Sequence, residues 1–180
     1  QPSETIDRAI EKAWQAGCIV VAAAGNSAGA VNYPAKSGYC IAVSAVDREL
    51  RIAPFSCRGP EIDAGAPGVE ILSTYLNGQV AVLSGTSMAA PWVCGYLALR
   101  IAYDRARGAV RTWTPENTRT YLRGHTIDAG PPGEDDLYGS GLPIAEEMFG
   151  NGEDGGQKFT LFGLTVHMPA RLGDAVGVNY

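Results

Sequence analysis

Histidine is nearly absent from this chain: its 180 residues hold two, His125 and His167. Any imidazole base in its chemistry must be one of these or come from elsewhere. Clusters of lysine and arginine are missing too. With 14 basic against 19 acidic residues and a net charge of −5, the surface offers no footprint for nucleic acid or an anionic membrane. No apolar run is long enough to span a bilayer, and no signal-peptide pattern opens the sequence. None of the four cysteines stands in a C-x-x-C pair, which argues against a structural zinc site. Four cysteines admit three complete pairings, and spacing does not choose among them. Cys40 and Cys57 flank a strand–turn–strand and are the pair to test for a bridge. Cys18 and Cys94 lie in apolar runs and are expected to be small buried hydrophobes. An initiating methionine is lacking as well. Gln1 stands first, so the expectation is an upstream cleavage or an excerpt from a longer chain.

What is present suits one globular domain with a real core: 46% of residues are hydrophobic and 18% charged. "PSETIDRAIEKAWQAG" reads as a helix with Ser3 as its cap, Ile6, Ile10 and Trp14 on one face, and Gly17 as its stop. "CIVVAAA" (Cys18–Ala24) and "YCIAVSAV" (Tyr39–Val46) are apolar without alternation, as buried parallel strands are. Asn77-Gly78 between two apolar runs predicts a hairpin. A long helix follows over about Ser87–Arg105, with Pro91 in its first turns. Thr114 and Pro115 open another helix. "LPIAEEMF" predicts a short last helix, and Lys158 onward predicts a strand. The alternation of helices with unalternating strands gives an α/β fold with a mostly parallel sheet and helices on both faces. Such sheets place chemistry at the carboxyl ends of their strands, where "AAGN" falls, with "GTS" just past the hairpin.

Read alone, Ser87 in "GTS" is a helix cap and Asn26 in "GN" a turn residue. Each also has a chemical reading. A serine at a helix N-terminus has free N–H groups and a helix dipole beside it to stabilise an oxyanion. The small neighbours Gly85, Ala89 and Ala90 leave room for a substrate backbone. The Asn26 carboxamide can serve as a second donor to the same oxyanion.

The blocks "VVAAAGN", "YPAKSGYCIAVSAVD", "APFSCRGPEIDAGAPGVEILST", "LSGTSMAAPWVCG" and "YGSGLPIAEE" come in one order. Together they resemble the signature blocks of subtilisin-like serine proteases, over about Thr5 to Phe149. The resemblance implies the C-terminal half of that catalytic domain (residues 1–149), a linker (150–157) and a C-terminal extension (158–180). It implies Ser87 as the acylated nucleophile, Asn26 as the oxyanion-hole asparagine, and Thr86 as a neighbour supporting the oxyanion through its hydroxyl. It implies Ala22, Ala23, Ala24 and Gly25 as one wall of the substrate pocket, Asn32 and Tyr33 near its floor, and Ser84 and Gly85 on the leaving-group side. Trp92 stands where the family usually has a histidine that is not the catalytic base, Cys94 replaces a small residue, and Ser27 follows Asn26 at the pocket edge.

The family carries its triad in the order Asp, His, Ser. Asp and His lie upstream of "AAGN" and are absent from the matching region. His125 falls at the end of a peripheral helix and His167 in the extension, and neither is expected to serve as base. The expected partner is therefore an N-terminal fragment of the same protease that donates both, and the expected substrate is a polypeptide. Glu61 and Asp63, with carbonyls of the Pro34–Cys40 loop, lie where the family can hold calcium; an ordinary surface acidic pair is the competing reading. Catalysis is expected to need no cofactor, with structural calcium as an addition, and the protein is expected to be secreted or extracytoplasmic. An inactive peptide-binding or assembly module, and a peptide ligase using the same acyl-enzyme, are the competing functions.

Overall fold

The computed structural model describes residues 3–144 and the strand residues 158–161 and 164–167. The elements run α1 (Glu4–Gln15), β1 (Val21–Ala23), β2 (Ile41–Val46), β3 (Ile62–Pro67), β4 (Ile71–Thr74), β5 (Val80–Leu83), α2 (Thr86–Ala106), α3 (Pro115–Arg123), β6 (Thr126–Ile127), β7 (Leu142–Pro143), β8 (Lys158–Leu161) and β9 (Leu164–His167). β1, β2 and β3 form a parallel sheet in that order, with Val21 opposite Ile41 and Val43 opposite Ala64. Every residue of β2 is buried, which is why its sequence shows no alternation. Ile41, Val43 and Ala45 face a core made with Val93, Tyr96 and Leu97 of α2, Tyr121 and Leu122 of α3, and Trp14 of α1. Ala42 faces a second core with Ala22, Ala24, Val31, Ala35 and Cys57, and Ile10 of α1 touches both cores.

Local signals hold where local chemistry decides. Thr114 and Asn117 form a reciprocal capping box on α3, with Pro115 at its first position. The β4–β5 hairpin turns at Asn77 and Gly78, both at positive φ. Several expectations need correction. Strand β1 is three residues rather than seven, because pairing with β2 begins only at Val21. Ser3 precedes α1 in an extended conformation but makes no side-chain cap bond. Leu142–Pro143 is a short strand against β6 rather than the start of a helix, and residues 145–149 of that predicted helix lie outside the described residues; residues 62–67 add a third strand paired to β2. The single C-terminal strand is a two-stranded antiparallel pair, β8 and β9. The linker and the remainder of the extension lie outside the described residues.

The cysteine expectations also change. All four are free thiols. Cys40 and Cys57 are buried without a bridge, whereas Cys18 and Cys94 are exposed rather than buried. Cys18 lies ahead of the paired part of its strand, and Cys94 falls off the α2 face that carries Ala89, Val93 and Tyr96.

Candidate functional site

The site forms where the end of β1 meets the start of α2. The chain leaves β1 through Ala24, whose N–H donates to the Val43 carbonyl at 3.0 Å. Gly25 follows at φ +112, and a Cβ there would stand 2.9 Å from Asn32 Cγ and 3.0 Å from Cys57 Sγ. Only glycine suits both that backbone and that closeness. Its N–H donates to the Thr86 hydroxyl at 3.1 Å and its carbonyl accepts the Cys57 N–H at 2.8 Å.

Asn26 is held from one side. Its Oδ1 accepts the Thr86 N–H and the Thr86 hydroxyl, each at 2.9 Å, although the two residues are 60 apart in sequence. With the oxygen bonded twice, the Nδ2 end is fixed in direction. A Cβ placed on Gly85 would stand 3.2 Å from Asn26 Nδ2 and 3.7 Å from the Ser87 N, so both nitrogens lie close to Gly85. Ser87 is exposed in the first turn of α2, where its N–H is among those with no intrahelical acceptor. Thr86 is fully buried. Its hydroxyl is engaged with Asn26 Oδ1 and the Gly25 N–H. An exposed serine near a side-chain amide and a free helix N-terminal N–H has the kinds of group that can stabilise an oxyanion.

The remaining residues divide. Ala22 and Ala24 point into the second core, and only Ala23 and Gly25 remain half-buried on the other side of the strand end. Asn32 is exposed and packs on Gly25, its N–H donating to the Ala24 carbonyl at 2.8 Å. Tyr33 turns toward α1, donating its hydroxyl to the Ser3 carbonyl at 2.9 Å and to Asp7 Oδ1 at 3.0 Å. Burial, then the Asp7 carboxylate, push that phenol above its ordinary range. Ser84 accepts the Glu70 N–H at 2.9 Å, and Gly85 is buried with its N–H on the Gly68 carbonyl at 2.7 Å. Ala89 is fully buried in the core. Ser27 Oγ lies 3.2 Å from Cys57 Sγ.

His125 stacks on Tyr121 with ring centroids 4.0 Å apart and places Nδ1 2.7 Å from the Tyr121 carbonyl. That position at the end of α3 agrees with its peripheral expectation.

Glu61 and Asp63 do not fit a calcium ion as they stand. Glu61 pairs with Lys36 at 3.2 Å. Asp63 accepts Arg119 Nε at 2.7 Å and the Ala42 N–H at 2.8 Å. The other ends of the Arg119 guanidinium donate to the Gly38 and Cys40 carbonyls at 3.0 and 2.6 Å, so a side-chain cation already takes up oxygens of the Pro34–Cys40 loop. Among the described residues, no group of three or more His, Cys, Asp or Glu could hold a metal. Burial raises the Asp63 carboxyl above the ordinary carboxylate range, against the pull of Arg119 and the Ala42 N–H. Arg119 was missed from sequence; no local signal ties it to a carboxylate 56 residues away.

The model of the subtilase family matches residues 1–141. The chain is 40% identical over 147 residues to subtilisin Savinase of Lederbergia lenta, covering 81% of this chain and 51% of that protein. It is 38% identical over 142 residues to the minor extracellular protease Epr of Bacillus subtilis, covering 78% of this chain and 21% of that protein. The crystal structure of a lanthipeptide protease superimposes with a TM-score of 0.69 at 26% identity, covering 79% of this chain and 53% of that one. The chain thus spans about half, or less, of the length of these relatives.

Proposed function

Because the chain belongs to the subtilase family, we propose that it carries the nucleophile and oxyanion donors of a serine endopeptidase whose Asp and His come from an upstream segment or a separate N-terminal fragment. In this reading the upstream imidazole takes the Ser87 proton, and the Ser87 oxygen attacks the scissile carbonyl. The carbonyl oxygen becomes anionic and accepts from Asn26 Nδ2 and the Ser87 N–H. Collapse of the intermediate expels the amine, which takes the proton held by the imidazolium, and leaves an acyl-enzyme, which water then hydrolyses. The observation that carries the proposal is the double hydrogen bond from Thr86 to Asn26 Oδ1, which leaves the amide nitrogen free to donate at the start of the helix that carries Ser87.

Two features support an upstream partner. Helix α2 is apolar around much of its circumference, as buried helices are, yet the described residues cover one face and leave Trp92, Cys94 and Ala98 exposed. Among the described residues β1 pairs only with β2, so its outer edge is open to another strand. Within this proposal the substrate is a polypeptide, catalysis needs no cofactor, and any calcium near Asp63 would have to displace Arg119. Secretion is part of the same proposal, in line with the extracellular relative. No helix among the described residues is long and apolar enough to cross a membrane.

The test is fluorophosphonate labelling of the chain assembled with its upstream part. Labelling that maps to Ser87 and disappears in Ser87→Ala supports the reading, and labelling that survives in that variant refutes it. Product analysis with a competing amine separates hydrolysis from ligation.

A further inference from the structure

Gly68 lies just past β3 and has no part in the chemistry described above. It is buried, its N–H donates to the Val46 carbonyl at 3.0 Å, and its carbonyl accepts the Gly85 N–H at 2.7 Å. A Cβ built on Gly68 would stand 2.7 Å from the Ala45 Cβ, 2.8 Å from the Gly85 carbonyl oxygen and 3.2 Å from the Ala89 Cβ. Gly68 is not among the glycines at positive φ, so what it supplies is space, not a special backbone conformation.

The contact with the Gly85 carbonyl has reach. That carbonyl shares one planar peptide with the Thr86 N–H. The Thr86 N–H is a donor to Asn26 Oδ1 at 2.9 Å, and the same carbonyl accepts the Met88 N–H at 3.0 Å in the first turn of α2. One rigid unit therefore touches Gly68 through its oxygen and Asn26 through its N–H, with the Ser87 N–H next along the chain.

We infer that Gly68 is a positioning residue for the Asn26 donor: its missing side chain leaves room for the carbonyl of the Gly85–Thr86 peptide that orients Asn26, and its own carbonyl holds the N–H of the preceding Ser84–Gly85 peptide. This rests on the peptidase reading and deepens it. A methyl group at position 68 pushes that peptide out of its seat, and the Asn26 amide moves with it. Bonds made mainly to the transition state lose more from such a shift than substrate binding does.

The test is a double-mutant cycle in the assembled protease, with Gly68→Ala, Asn26→Leu and the two combined. Gly68→Ala is expected to lower kcat by about tenfold or more while KM stays within about twofold. In the Asn26→Leu background the same change is expected to cost less than about twofold, because the donor it seats is gone. An unchanged kcat, or an equal loss in both backgrounds, overturns the assignment. Should Gly68→Ala fail to fold, the Ala45→Gly/Gly68→Ala pair relieves the core clash but keeps the contact with the Gly85 carbonyl. It carries the same expectation relative to Ala45→Gly. A wild-type protein that cleaves no peptide sinks the peptidase reading instead. The Gly68 assignment is then decided by hydrogen exchange at the Thr86 amide, which must speed up in the variant relative to the β2 amides. Unchanged exchange there rejects it.

Discussion

Replacing Thr86 by valine keeps the shape of a fully buried side chain and removes one hydroxyl. That hydroxyl accepts the Gly25 N–H at 3.1 Å and donates to Asn26 Oδ1 at 2.9 Å. Two hydrogen bonds disappear, each worth about 1 kcal/mol net, and the Gly25 N–H loses its partner; allowing for that desolvation, folding stability should fall by about 2–4 kcal/mol. The catalytic consequence is separate. Asn26 keeps the Thr86 N–H as an anchor, but a carboxamide held by one bond can rotate where one held by two cannot. Turnover in the assembled protease should drop by about tenfold or more with KM nearly unchanged. Thr86→Ser retains the hydroxyl and should recover most of both losses. Urea unfolding reports the first effect and steady-state hydrolysis of a peptide anilide the second. A valine variant that loses stability but keeps its kcat would show that the hydroxyl only holds the fold, and the reasoning about Asn26 would fail.

Other outcomes follow from the same contacts. Asn26→Leu should depress kcat far more than it raises KM, and equal effects on both would undercut its proposed oxyanion role. Arg119→Ala should cost about 2–3 kcal/mol in stability, because the partly buried Asp63 carboxyl loses its charged partner, and an unchanged urea unfolding midpoint would contradict the pairing. The Asp63 carboxyl titrates above its ordinary value in the fold, so its favourable contribution is full below the unfolded pKa and is lost as pH rises through the folded one. The stability difference between wild type and Asp63→Asn should therefore shrink as pH rises through the carboxylate range, and a difference that grows would reverse the sign. Titration in denaturant without reductant should find four free thiols rather than two. In the folded protein Cys40 should resist alkylation, because burial holds its thiol up at about 11.

Legibility from sequence tracks how local the deciding interaction is. The α3 cap and the Asn77-Gly78 turn rest on neighbouring residues and could be read directly. The Ser87 and Asn26 segments could be recognised because their motifs are short and contiguous. The Thr86–Asn26 bonds that join them span 60 positions and have no local trace. The Arg119–Asp63 pair and the seat of Gly85 on Gly68 are of the same kind. Cys18 and Cys94 misled because apolar neighbours signal burial only where a packing partner exists. β1 was overestimated because strand length depends on how much of the neighbouring strand runs alongside it.

In the proposed mechanism Ser87 and Asn26 act on one carbonyl group. A structure of the assembled protein with a peptide phosphonate bound tests this most directly. Phosphorus is expected to be bonded to Ser87 Oγ, with one phosphonyl oxygen at about 2.7–3.1 Å from both Asn26 Nδ2 and the Ser87 N. A phosphonate on another residue, or an oxygen turned away from Asn26, would contradict it.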